Sequence, residues 1–397
     1  MTFISFLLVA LEILLAIPTV VFFVEVVAAI ALPQHNDPVS PRNQSRKRVA
    51  VLLPAHNESI GILPTLADLK VQIRAGDRLI VVADNCSDDT AAVAAAAGAE
   101  VVDRNEPERR GKGYALACGI RYLSVDPPEI IIIIDADCRL AEGMIDRLAT
   151  ACGVTHRPVQ ALDLMCAPNG APINFKVAEF AWRLKNWVRP LGLKALGFPC
   201  QLMGTGMAFP WDVIRSADLA SGSIVEDVKL GLDLTLARTP PMFCPFPGVT
   251  SDFPMTVEGV QKQRLRWEQG HIGTIVKIVP RLLCLAVVRA DLNLLALVLD
   301  AAIPPLALLA MLVMATSIGA GMATLLGISS AAIFVGSVSL IGLIGGGIFL
   351  SWSKYGRDIL SPRSIPLIFI YVCGKFPLYL KILSRNSQWT RTDRRKM

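Results

Sequence analysis

Charge is scarce in this 397-residue chain: 18% of its residues are charged and 53% are hydrophobic. The mean hydropathy of +0.50 exceeds that of an ordinary soluble domain. The shortage is uneven. Residues 4–31 hold no Lys or Arg, and between 292 and 351 Asp300 stands alone as a charged residue. The nine cysteines include no C-x-x-C pair and the four histidines are scattered, so neither a zinc site nor a disulfide framework is spelled out. Free thiols suit a reducing compartment. No G-x-x-x-x-G-K-[ST] loop is present and no G-x-G-x-x-G follows the first strand, which removes the main support for ATPase and dinucleotide-binding readings. The net charge of +6 comes from basic residues beside apolar segments. A membrane surface accounts for them without nucleic acid.

What remains is a chain with apolar ends and an ordinary middle, roughly 45–290. Residues 4–31 are long enough to span a bilayer, although Glu12 and Glu25 interrupt them. A secretory signal would need a cationic start and a shorter apolar run. The stretch Pro41–Arg48 is strongly basic, which marks that flank as cytoplasmic and places the N-terminus outside. Two further spans are expected at about 292–317 and 324–351, with Gly319 and Gly321 at the turn and Asp300 facing protein or water. Residues 364–383 contain Pro366, Pro377, Lys375 and Lys381, and a basic tail follows. They read as an interfacial or re-entrant segment, with a further span as the alternative. The expected division is a membrane helix at 1–31, a basic linker at 32–47, a cytoplasmic domain with interfacial helices at 48–275, and a C-terminal membrane region with a basic tail at 276–397.

Within the aqueous part, the organising stretch is Ile130–Asp137. Five isoleucines in a row have no polar alternation and predict a strand buried on both faces, as in a parallel sheet. The strand ends in Asp135-Ala136-Asp137, at the edge where open α/β sheets bind ligands. Two carboxylates there can hold a hard divalent cation, although Asp also favours plain turns. A first strand, Arg48–Leu53, leads into Pro54-Ala55-His56-Asn57-Glu58, and a second, Arg78–Ala83, closes on Asp84. Helical stretches near 62–72, 91–97 and 114–124 alternate with these strands and with Ala99–Asp103. Alternation of this kind predicts an α/β fold with a mostly parallel, doubly wound sheet. Asp84, Asp135 and Asp137 then share one edge. The loop 105–113, with Arg109, Arg110 and Lys112, adds cations that suit a nucleoside diphosphate and its metal; a solvated basic turn is the alternative.

The second half is less regular. Phe175–Val188 is aromatic and basic, either an interfacial helix or an ordinary core helix. Gly204-Thr205-Gly206 reads as a close backbone approach to a ligand or another element. Glu226-Asp227 sits at an apolar helix start, where acids also serve the helix dipole. Gln263-Arg264-Leu265-Arg266-Trp267 leads toward the membrane region, where Trp and Arg are also interfacial anchors.

In this order the motifs resemble those of the membrane-bound family 2 glycosyltransferases, the inverting GT-A group that includes cellulose, chitin, hyaluronan and poly-N-acetylglucosamine synthases. The resemblance covers about 48–270 and rests on Pro54–Glu58, Asp84, Arg110-Gly111-Lys112-Gly113, Asp135-Ala136-Asp137, Glu226-Asp227 and Gln263-x-x-Arg266-Trp267. It implies a GT-A cytoplasmic domain that takes a UDP-sugar with Mg²⁺ or Mn²⁺. Donor contacts would come from Pro54, Ala55, Asn57, Glu58, Asp84, Lys112, Asp135, Arg266 and Trp267. Asp137, and after it Asp135, would hold the metal. Asp227 would be the general base, and Gly204, Thr205, Glu226, Gln263 and Trp267 would meet the acceptor. The implied activity is transfer to a lipid-linked or saccharide acceptor at the cytoplasmic face of a bacterial inner membrane, in extracellular polysaccharide assembly. A processive synthase that needs an export partner or oligomer is one alternative. A membrane scaffold that only binds nucleotide is the other.

Overall fold

The computed structural model describes residues 2–34, 46–168, 170–220, 225–254 and 257–384. Most of the basic linker and the basic tail lie outside the described residues. The chain forms two compact units, one of Gln34–Cys166 with Gly197–Asp252, the other of Met1–Pro33, Ala167–Leu196 and Phe253–Met397.

Helix α1 (Phe3–Ala31) comes first in the chain. The sheet unit then runs β1 (Val49–Ala55), α2 (Ile62–Lys70), β2 (Arg78–Asp84), α3 (Thr90–Ala96), β3 (Glu100–Arg104), α4 (Lys112–Leu123) and β4 (Ile130–Ile133). After these come β5 (Arg139–Leu140), α5 (Met144–Thr155) and β6 (Val159–Cys166). Helices α6 (Ile173–Arg183) and α7 (Arg189–Ala195) intervene, and the unit closes with β7 (Met207–Pro210), α8 (Trp211–Ile214), α9 (Glu226–Leu236) and β8 (Met242–Asp252).

The eight strands lie in the order β3-β2-β1-β4-β7-β6-β8-β5. The first four are parallel neighbours, as the alternation of strand and helix requires, and β7 is antiparallel to both β4 and β6. The isoleucine run explains itself by where its two faces point. Ile130, Ile132 and Ile134 join Val49, Val51 and Leu53 in one core, while Ile131 and Ile133 join Ala50 and Leu52 in the other. Each such buried side chain contributes about 1.5–3 kcal/mol, and a register slip would gain nothing because both faces are already apolar. The carboxyl ends of β1, β2 and β4 therefore share one edge.

The helical unit continues with α10 (Val257–Lys277), α11 (Val279–Val288), α12 (Leu292–Ala301), α13 (Leu306–Leu325), α14 (Ala331–Tyr355), α15 (Ile365–Gly374) and α16 (Phe376–Ser384). Among the described residues three helices of this unit, α1, α13 and α14, are long and apolar enough to cross a membrane, and Gln263–Lys277 with Val279–Val288 form a pair bent by 44° that would be a broken span or a re-entrant loop. The expected span 292–317 is interrupted: α12 ends at Ala301 and α13 begins at Leu306, because Pro304-Pro305 cannot continue a helix. The expected turn at Gly319 and Gly321 also moves. Both glycines lie inside α13, and the turn is at Gly327, whose φ of +69° closes the helix while Ile328 N–H donates to Ala323 O at 2.8 Å. The last long apolar helix is thus Ala331–Tyr355, where 324–351 was expected. Residues 365–384 form two short helices. Residues 167–196 and 257–275, read from sequence as part of the aqueous domain, pack within the helical unit.

Glu25, an interruption in the first apolar run, is answered in this unit. Arg189 Nε donates to Glu25 Oε2 at 2.9 Å, and Arg189 Nη2 donates to Asp300 O at 2.8 Å and to the Asp300 carboxylate. All three residues are buried. The approach is close enough that a β-carbon on Gly192 would sit 1.9 Å from Glu25 O.

Candidate active site

The site grows from the carboxyl edge of the parallel strands. After β1 the chain turns through Asn57, which has φ +56°, and its Oδ1 accepts the Ser87 N–H at 2.7 Å. Glu58 N–H donates to Thr90 Oγ1 at 2.8 Å, tying the Pro54–Glu58 turn to the start of α3. Asp84 ends β2 and is buried; Arg104, at the end of the neighbouring β3, donates to its Oδ1. Asp135 and Asp137 follow β4. Their turn is pinned from below by Thr65 of α2, whose hydroxyl lies 2.8 Å from Ala136 O and 2.7 Å from Cys138 O.

Lys112 starts α4, and its Nζ donates to Asp135 Oδ1 and, at 2.7 Å, to Gly204 O. One ammonium thus joins the acidic turn after β4 to the Gly204-Thr205-Gly206 turn. That second turn requires its glycines. Gly204 has φ +95°, and a β-carbon on Gly206, at φ +67°, would lie 3.0 Å from Ala161 Cβ. Thr205 Oγ1 accepts the Asp135 N–H at 3.1 Å. Gln160, fully buried on β6, holds the turn at both sides: its Oε1 accepts the Met203 N–H at 2.7 Å and its Nε2 donates to Thr205 O at 2.8 Å.

Glu226 and Asp227 open α9 and line the same pocket as Lys112, Gly204 and Leu219. Asp227 Oδ2 is 3.4 Å, and Lys112 Nζ 3.5 Å, from where a Gly204 β-carbon would be. Gly113 is another close approach, since a β-carbon there would lie 2.2 Å from Leu219 O. Burial opposes the charge on Lys112, but the carboxylates of Asp135, Glu226 and Asp227 outweigh it and its pKa is raised. Burial, and then the charge of Asp227, push Glu226 up to about 7, against the pull of Lys112. The pair therefore differs from two exposed acids: one member holds a proton near neutrality.

Among the described residues no three His, Cys, Asp or Glu side chains form a ready metal cage. The donor set nevertheless fits a hard dication that completes its shell with substrate oxygens, because two carboxylates stand two residues apart on one turn. Pro54, Ala55, Asn57, Glu58, Asp84, Lys112, Asp135, Asp137, Gly204, Thr205, Glu226 and Asp227 all belong to the sheet unit. Gln263, Arg266 and Trp267 are on α10 in the helical unit, where Gln263 is buried and the Trp267 ring lies 4.9 Å from that of Trp182. Sequence reasoning missed Thr65, Arg104 and Gln160. Each is a single polar residue with a site partner 20 or more residues away in sequence, and only Arg104, the end of a strand beside the basic loop, carries a local hint.

The sequence profile of the glycosyltransferase-like family 2 matches residues 46–270, and the chain belongs to this family. Its fold is that of GT-A glycosyltransferases. Over 94% of its length it superposes on 98% of a mannosyltransferase from Pyrobaculum calidifontis, solved with GDP-Man and Mn²⁺, with a TM-score of 0.55 and 16% identity. Among curated relatives, an uncharacterized glycosyltransferase of Mycobacterium tuberculosis is 40% identical over 100 residues, 25% of this chain and 41% of that protein. Glucosyl-3-phosphoglycerate synthase of the same organism is 30% identical over 153 residues, 34% of this chain and 46% of that protein. The chain spans less than half the length of the curated relatives it matches.

Proposed function

We propose that the chain is a membrane-bound, metal-dependent inverting glycosyltransferase that moves a sugar from a nucleotide-sugar, a UDP-sugar, to a lipid-linked or saccharide acceptor. The observation that carries this reading is the Lys112 ammonium bridging Asp135 and Gly204 beside Asp227. It brings an acidic strand end and a candidate base to one cation, as a single displacement needs. The Pyrobaculum mannosyltransferase was solved with Mn²⁺ and a nucleotide-sugar, which agrees with this donor set. The apolar helices α1, α13 and α14 supply the membrane attachment. The basic flanks support a cytoplasmic sheet unit at a bacterial inner membrane.

In the reaction, Asp227 accepts the proton of the acceptor hydroxyl as that oxygen bonds to the anomeric carbon. The bond from that carbon to the diphosphate breaks, and the nucleoside diphosphate leaves with the electron pair. No enzyme nucleophile is needed, and the anomeric centre inverts. Asp135 and Asp137 would hold the divalent cation, which when bound supplies positive charge to the diphosphate. Lys112 adds a second charge on that side. Pro54–Glu58 and Asp84 take the nucleoside, and Gly204, Thr205 and Glu226 face the acceptor.

Nucleotide binding by the purified full chain, titrated with and without Mn²⁺, tests this reading. Asp137→Ala is expected to abolish the metal-dependent gain in UDP affinity, and Asp227→Asn to retain it. UDP binding that ignores both metal and Asp137 would overturn the assignment.

A further inference from the structure

Resting on that reading, one carboxylate of the nucleoside site has two unequal oxygens. Asp84 Oδ1 accepts from Arg104 Nη1 and, at 2.8 Å, from Asn85 Nδ2. Among the described residues, Oδ2 accepts no hydrogen bond. Asp84 is 6% exposed and Arg104 5%, so neither side chain can swing freely.

Both donors are themselves locked. Arg104 Nη2 donates to Glu106 Oε2 at 3.0 Å and to Arg109 O at 2.7 Å, and its guanidinium lies 5.7 Å from the centre of the Tyr114 ring. Asn85 takes φ +52° and donates its N–H to Arg104 O at 2.7 Å, while its Oδ1 accepts the Glu106 N–H at 2.8 Å. Turning Asp84 to present both oxygens would break this set of bonds. Unpaired buried groups are the expensive outcome.

We propose that Arg104, together with Asn85, sets the nucleobase of the donor by leaving Asp84 a single acceptor oxygen. One oxygen matches the lone imide N–H of uracil. Guanine carries N1–H and N2–H side by side on the corresponding edge and pairs best with a carboxylate that offers both oxygens. At this site one of its donors would be buried without a partner. Arg104 acts through Asp84, so it is a positioning residue rather than a base contact.

The test is the ratio of Kd values for UDP and GDP, measured with Mn²⁺ on the detergent-purified full chain by calorimetry. Wild type, Arg104→Lys and Asn85→Gly are compared, each checked for a cooperative melt. Lysine keeps the charge but cannot hold three acceptors in a planar fork, and glycine accepts φ +52° without strain. Wild type is expected to bind UDP at least about tenfold tighter than GDP. Both variants are expected to shrink that ratio at least about threefold, since Asp84 is then less constrained. A merely structural role would weaken both nucleotides equally, and that result would overturn the proposal. GDP binding as tightly as UDP to wild type would overturn it too while leaving the transferase reading intact. Binding of neither nucleotide would remove both.

Discussion

Glu226 and Asp227 are neighbours in sequence that line one pocket, and burial sets Glu226 apart. Asp227 meets the pocket beside Lys112, whereas Glu226 is held toward its neutral form by burial and by its neighbour's charge, with its pKa up from 4.5 to about 7. A carboxyl raised in this way favours folding while protonated. Its contribution is full below the ordinary pKa and is lost as pH rises through about 7. The melting temperature of wild type should therefore fall between pH 5 and pH 8 more than that of Glu226→Gln, which has no such proton to lose. Parallel melting curves across that range would contradict the assignment. The same residues mark what sequence shows at this scale. Asp84, Lys112, Asp135, Asp137 and Asp227 stand out because charges at strand and helix ends need a reason. Thr65 and Gln160 do not, since an isolated hydroxyl or amide gives no sign of the carbonyls it will meet 45 to 73 residues away.

At the scale of elements, the isoleucine strand and the parallel β1 and β2 were readable because both faces of each are buried and almost no polar residue interrupts them. The antiparallel β7 was not. Met207–Pro210 is four buried residues, too short to carry a direction. The long apolar helices were readable in number but not in their bounds, because apolar composition runs straight through Pro304-Pro305 while helical hydrogen bonding does not. Glu25 and Asp300 looked like flaws in apolar helices; Arg189 shows them to be two sides of a buried ion cluster joining α1, α7 and α12. Removing the cation alone leaves two buried acids. Arg189→Met should destabilise the helical unit by about 3–5 kcal/mol, seen as a lower melting temperature in detergent. Neutralising Glu25 and Asp300 as well (Glu25→Gln, Asp300→Asn) should recover most of the loss. A wild-type melt for Arg189→Met would show that the cluster does not hold these helices.

For the whole molecule, the family, the GT-A fold and, among the described residues, three helices apolar enough to cross a membrane are what the proposed membrane-bound transferase requires. The donor sugar and the acceptor depend on pocket contacts that no short motif encodes. The most direct measurement is release of nucleoside diphosphate by the detergent-solubilised chain with Mn²⁺ and a panel of UDP-sugars, in the presence of membrane lipid extract as acceptor, beside Asp227→Asn. The account predicts release from at least one UDP-sugar, dependent on the extract and reduced at least about a hundredfold in the variant. Release that proceeds equally in Asp227→Asn, or tight donor binding that no acceptor converts to turnover, would contradict it.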